Sequence, residues 1–150
     1  MRRREVLKHS LTVAGLLAVA GIFPRAALAF TRAAFETRSI ADAVKAYGGM
    51  PPVESKSVTL TAPEIAENGA TVPLAIASTL PGVKHMLLLV EKNPNVLVAK
   101  FDVSDAIEAN FSIRAKMDQS SNVYAVAITE DGRAHFARRD VKVTLGGCGN

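Results

Sequence analysis

From Ala33 to Tyr47 apolar residues recur at helical spacing: Ile40, Ala43, Val44 and Tyr47 fall at i, i+3, i+4 and i+7, on one face of a helix. Ser39 and Asp42 stand where capping residues are found, and Gly48-Gly49 with Pro51-Pro52 ends the pattern. Beyond the prolines the period changes to alternation and keeps it to the end of the chain. Val58 and Leu60 begin it. Val72, Leu74 and Ile76 follow Asn68-Gly69, a dipeptide suited to a tight turn because both residues tolerate positive φ. Further runs cover residues 85–91, 96–103, 109–117, 123–129, 134–138 and 141–145. Between them lie Pro81-Gly82, Asn93-Pro94-Asn95, residues 118–122 and Asp131-Gly132, all turn chemistry. Seven or eight short strands with no helical stretch between them predict a mainly β fold, an immunoglobulin-like antiparallel β-sandwich with an N-terminal helix. Met86 to Val90 is apolar at every position, which predicts a strand covered on both faces, by the helix or by another chain.

The first 29 residues follow another pattern: a basic head, an apolar stretch from Leu11 to Phe23, and a tail ending Ala27-Leu28-Ala29. This is the layout of a secretory signal cleaved before Phe30. The apolar stretch is shorter than the roughly 20 residues needed to cross a bilayer as a helix, so no membrane anchor is expected. Arg3-Arg4-Glu5-Val6-Leu7-Lys8 resembles the twin-arginine export signal, with Val6 where that pattern favours phenylalanine. A general secretory signal with three arginines is the alternative. The expected location is the periplasm. On the twin-arginine reading the chain crosses already folded, with a leaderless partner bound to it. The chain thus divides into a leader (1–29), a body (30–145) and a short C-terminal arm (146–150).

The leader also changes what the charge means. The 150-residue chain has a formal charge of +4, but five of its 18 basic residues and one of its 14 acidic residues lie in the first 29. The remainder balances, and a neutral body has no long-range field for phosphate backbones, so no nucleic acid partner is expected. A body of this size buries enough core to need no disulfide, and the single cysteine cannot form an internal one.

Few residues could carry chemistry. His85 and His135 have no metal-ligand spacing, so neither a metal nor another cofactor is expected. Glu64 with Glu67 and Asp102 with Asp105 read as solvated pairs at turn margins. Arg133, Arg138 and Arg139 around His135 could hold an anion or a partner's acidic rim, or protect an edge strand by charge. No catalytic residue is assigned. What remains is the ending Gly146-Gly147-Cys148-Gly149-Asn150. Glycine gives this arm a thin cross-section and wide backbone freedom. Three residues past Leu145 span about 10 Å, enough to enter another protein's channel. No base lies close in sequence, so the thiol should keep a pKa near its ordinary value of about 8.5. A self-sufficient cysteine enzyme needs a base; a carrier is activated by whichever enzyme receives it. The alternative is an interaction module whose Cys148 forms only an intermolecular disulfide.

Several of these features occur together in a known family. The leader, residues 63–69 (Pro-Glu-Ile-Ala-Glu-Asn-Gly) with Val72-Pro73, Asn93-Pro94-Asn95, Asp131-Gly132, and Val141-Lys142-Val143-Thr144 before Gly146-Gly147-Cys148-Gly149 resemble the SoxY family, the sulfur carrier subunits of the bacterial thiosulfate-oxidising Sox system. The family's tail usually ends in glycine, where this chain has Asn150. The resemblance implies a non-enzymatic carrier with Cys148 as covalent sulfur attachment atom on an arm of Gly146, Gly147 and Gly149. It implies a SoxZ subunit as partner, in a heterodimer or heterotetramer, and offers the Met86–Val90 strand a covering surface. It also implies a haem-containing thiosulfate-conjugating complex, a dimanganese thiohydrolase and, where present, a molybdenum-haem sulfane dehydrogenase.

Overall fold

In the computed structural model, which describes residues 39–145, one helix and nine strands are found among those residues. Helix α1 (Ile40–Ala46) is followed by β1 (Val53–Glu54), β2 (Val58–Thr61), β3 (Ile65–Ala66), β4 (Val72–Ser78) and β5 (Val83–Val90). Then come β6 (Leu97–Asp102), β7 (Asn110–Ala115), β8 (Ser121–Thr129) and β9 (Ala134–Val143). The fold is mainly β, with two open sheets. The larger runs β1-β9-β8-β5-β6 with β3 also on β9; the smaller is β2-β4-β7.

Alternation decides how the sheets pack. Val58 and Leu60 on β2 and Val72, Leu74 and Ile76 on β4 turn one face of the smaller sheet inward. Met86, Leu88 and Val90, with Val123, Ala125, Ala127 and Val141, meet them from the larger sheet in a shared core. The intervening Leu87 and Leu89 point the other way, and with Val126 and Ile128 they pack against Ala43 and Val44 of α1. Each aliphatic side chain so buried contributes about 1.5–3 kcal/mol of hydrophobic stabilisation. The uninterrupted apolar run of β5 is therefore covered by this chain's own core on one face and its own helix on the other. That answers the choice left open by the sequence, and the surface offered there to a SoxZ subunit is already occupied.

The end of α1 is set by two glycines with different roles. Gly48 adopts φ +76, its N–H donates to the Lys45 carbonyl, and the Gly49 N–H donates to the Val44 carbonyl at 3.0 Å. This is a Schellman closure. Gly49 has no room for a side chain, since a Cβ there would stand 2.5 Å from Val44 Cγ1. At the start, Ser39 occupies the cap position and its carbonyl accepts from the Ala43 N–H, but its hydroxyl makes no capping bond. The part of the predicted helix before Ser39 lies outside the described residues.

Three expectations need correction. The runs 134–138 and 141–145 form one strand, β9, because Arg139 and Asp140 continue the pairing with β8 through their backbones. The pairing is not all antiparallel: β1 and β3, too short for alternation to reveal, each join β9 in parallel. β1 covers β9 only at His135 and Phe136 and β3 only at Lys142 and Val143, so Arg138 and Arg139 lie on a stretch of β9 whose far side is open, as protection of an edge by charge requires. Asn68-Gly69 is not a positive-φ turn; the Asn68 side chain accepts from the Ala70 N–H at 2.9 Å instead, and the chain passes there from the larger sheet to the smaller.

Candidate functional site: the root of the C-terminal arm

Cys148 and Gly146, Gly147 and Gly149 lie outside the described residues; what the structure describes is the point from which they depart. β9 reaches that point held on both sides. On one flank Ile65 pairs with Lys142 and Ala66 with Val143. The Lys142 N–H donates to the Glu64 carbonyl at 2.9 Å and the Thr144 N–H to the Ala66 carbonyl at 3.1 Å. The Thr144 hydroxyl donates to the Glu67 carbonyl at 3.1 Å. On the other flank the Val143 N–H donates to Ser120 Oγ at 2.8 Å, and the Ser120 hydroxyl returns a longer bond to the Val143 carbonyl. The last described residue, Leu145, accepts at its carbonyl from the Gly69 N–H at 2.8 Å.

Gly69 connects this clamp to the loop between β7 and β8, because its carbonyl accepts from the Met117 N–H at 2.7 Å. That loop is fixed in turn by Asn93, whose side-chain amide donates to the Lys116 carbonyl and accepts from the Asp118 N–H. Asn68-Gly69 and Asn93 thus brace the arm's root, a role that their turn propensity does not disclose. Ile65 and Leu145 stand out on this surface at 58% and 59% exposed. Beside Ile65 opens a depression of about 330 Å³ lined by Ala62, Glu64, Arg139, Asp140 and Lys142.

Sequence reasoning missed β3, Ser120 and Thr144. A two-residue strand carries no period, and the hydroxyls act through single backbone bonds; the only signal was their position around the last alternating run.

The other polar side chains are dispersed. Asp102 does not pair with Asp105. It accepts from Lys100 Nζ at 2.7 and 2.9 Å and lies 2.7 Å from His85 Nδ1. The Lys100 hydrogen bond holds the Asp102 carboxyl below the usual carboxylate range against the opposing effect of burial, with a lesser lowering contribution from His85. Lys100 Nζ also lies 5.1 Å from the Tyr47 ring centroid, so the cluster ties the end of α1 to β5 and β6. Burial pushes the Tyr47 phenol up, only partly offset by Lys100, and its hydroxyl is buried with no partner among the described residues. Arg133 pairs with Asp131 in the turn before β9, while Arg138 and Arg139, as strand neighbours, point to opposite faces. The three arginines and His135 therefore do not converge on one anion. Among the described residues no group of three or more His, Cys, Asp or Glu is placed to hold a metal, and no helix is long and apolar enough to cross a membrane.

Comparison with known proteins bears on this arrangement. A family model described as sulfur oxidation protein SoxY matches residues 43–148. The solved structure of the sulfur carrier protein SoxY from Chlorobium limicola f thiosulfatophilum is similar at 36% identity and TM-score 0.63, over 71% of this chain and 96% of that one. A superoxide reductase (neelaredoxin) from Ignicoccus hospitalis aligns over 58% of this chain and 80% of its own with TM-score 0.52, and at 17% identity it shares the fold alone. No curated protein matches the sequence.

Proposed function

Because the chain belongs to the SoxY family of sulfur carriers of the Sox system, we propose that it holds thiosulfate-derived sulfur covalently on Cys148 in the periplasm and presents it to partner enzymes. The observation that carries this reading is the clamped end of β9 at Val143, with the clamp continuing through Thr144 to Leu145, immediately before Gly146-Gly147-Cys148-Gly149. A rigid root followed by glycines suits a thiol that must travel while its body stays in place. The body reads as an immunoglobulin-like sandwich, since two sheets face each other across one core and the segment β1–β2–β3 passes from the larger sheet to the smaller and back.

The chemistry belongs to the partners, and the chain supplies the sulfur atom. In the first step the Cys148 thiolate bonds to the outer sulfur of thiosulfate, and the electron pair released passes to the haem-containing complex. Water then cleaves the bond between the sulfane and the sulfonate: the hydroxyl leaves on sulfate and a proton stays with the sulfane, leaving a persulfide on Cys148. A dimanganese thiohydrolase suits that step. A molybdenum-haem sulfane dehydrogenase, where present, accepts the electrons as water supplies the oxygens that turn the persulfide into an S-sulfonate with loss of protons, and a second hydrolysis releases sulfate and restores the thiol. Residues 1–29 serve as a twin-arginine-type leader, and a SoxZ subunit completes the carrier through a surface other than β5.

Intact-mass measurement of the protein from thiosulfate-oxidising cells tests the reading. Adducts that a thiol reductant removes, and that Cys148→Ser lacks together with all support of sulfur oxidation, are expected. A Cys148→Ser protein that loses only a covalent dimer and still supports oxidation would overturn it in favour of a disulfide-linked interaction module.

A further inference from the structure

Resting on that carrier reading, we propose that Ile65 and Leu145 form a docking collar around the arm's root, on which an enzyme acting on Cys148 seats an apolar rim of its active-site channel. Single exposed apolar side chains are ordinary on protein surfaces. These two are set apart by position. Ile65 pairs opposite Lys142, Leu145 follows three residues later, and both lie on the segments that clamp the departing chain.

Geometry makes the contact unavoidable. From Leu145 to Cys148 is three residues, which reach about 10 Å when fully extended. The root cannot release more chain without breaking the bonds that Gly69, Ala66 and Ser120 make to it. A reactive centre lying that far inside a channel is reached only when the channel mouth touches the carrier at Leu145. The surface it meets is apolar at Ile65 and Leu145, and the depression beside Ile65 carries Glu64 and Asp140 balanced by Arg139 and Lys142. Apolar contacts with charged groups beside them are the anatomy of a transient interface. With those charges balanced, long-range attraction is weak and the apolar contact supplies the affinity.

The test uses the full chain as the varied substrate of the purified haem-containing thiosulfate-conjugating complex, with Ile65→Ser, Leu145→Ser and the conservative Ile65→Val. Both residues are exposed, and Leu145→Ser retains the backbone bond from Gly69. Each serine variant should raise KM about tenfold, the effect of losing one buried aliphatic side chain from a contact, and leave kcat within about twofold. Ile65→Val should behave as the parent, and alkylation of Cys148 by iodoacetamide should proceed at the parent rate in all three. Unchanged KM in both serine variants would overturn the collar while leaving the carrier intact, provided Cys148→Ser is not conjugated. Unchanged KM with a lower sedimentation mass would also overturn it, making the patch an interface between copies of this chain. A parent protein that the complex never conjugates would refute the carrier reading itself.

Discussion

Alanine at Gly49 should destabilise the protein more than alanine at Gly48, although Gly48 is the residue with left-handed backbone. At Gly48 an added Cβ meets nothing within 4 Å, so the substitution costs only the φ of +76, roughly 1–2 kcal/mol for a left-handed L-residue. Part of that is offset by the lower entropy of the unfolded chain, about 0.4–1 kcal/mol, leaving a net cost of about 1. At Gly49 the Cβ falls 2.5 Å from Val44 Cγ1, 3.0 Å from the Val44 carbonyl and 3.2 Å from Ile128 Cδ1. Val44 is 1% exposed, and a helical valine has one strongly preferred rotamer, so the methyl cannot swing away and the backbone must shift. Overpacking of this kind costs about 1–3 kcal/mol, here toward the upper end because three atoms are met at once. Urea unfolding of the two variants measures the difference, with an unchanged m-value confirming that only stability has moved. Asparagine, which tolerates left-handed backbone, should rescue position 48 relative to alanine and should fail to rescue position 49. Val44→Ala should relieve part of the Gly49→Ala cost, appearing as coupling in a double-mutant cycle. A Gly49→Ala protein within about 0.5 kcal/mol of the parent would refute the steric reasoning.

Two further outcomes follow from the polar contacts. The Asp102 carboxyl is held below its ordinary 3.8 when folded, foremost by Lys100, so its contribution is present above that value and lost as pH falls through the lower, folded one. Asp102→Asn should flatten the stability profile below about pH 4 by less than about 1 kcal/mol, because the side chain is 68% exposed, and added salt should shrink the difference. Ser120→Ala removes the hydroxyl bonded to Val143 and should cost about 1 kcal/mol. Amide exchange should then quicken at Val143 and stay unchanged at Ala125 in the middle of β8; equal protection at Val143 in both proteins would show that β3 alone holds the root.

What the sequence disclosed and what it withheld divide along one physical line. Val58, Leu60, Leu74 and Ile76 announce their strands because burial on one face imprints an alternation longer than any turn, and the Asp131-Gly132 turn announces itself by chemistry. Val53–Glu54 and Ile65–Ala66 do not, since a parallel pair of two residues is created by the partner strand and leaves no period of its own. The same holds at the functional end. Cys148, the proposed attachment atom, draws notice by its isolation among glycines, whereas the clamp is made of backbone groups at Glu64, Ala66, Glu67 and Gly69 and of the hydroxyls of Ser120 and Thr144, groups that carry no pattern of their own. Asp102 met His85 through the pairing of β5 with β6 and Lys100 two residues back on the same face of β6, rather than Asp105 beyond the end of the strand.

The clamp has a mechanical side. On the proposed carrier reading an enzyme draws on the tail beyond Leu145, and any part of that pull directed along β9 meets hydrogen bonds to β8 and β3 that run across the strand axis. Such a load shears the bonds together instead of peeling them one after another. The strand is built as a mooring post: tension along it is shared with the neighbouring strands, which on the carrier reading keeps the body folded while the thiol is loaded and unloaded.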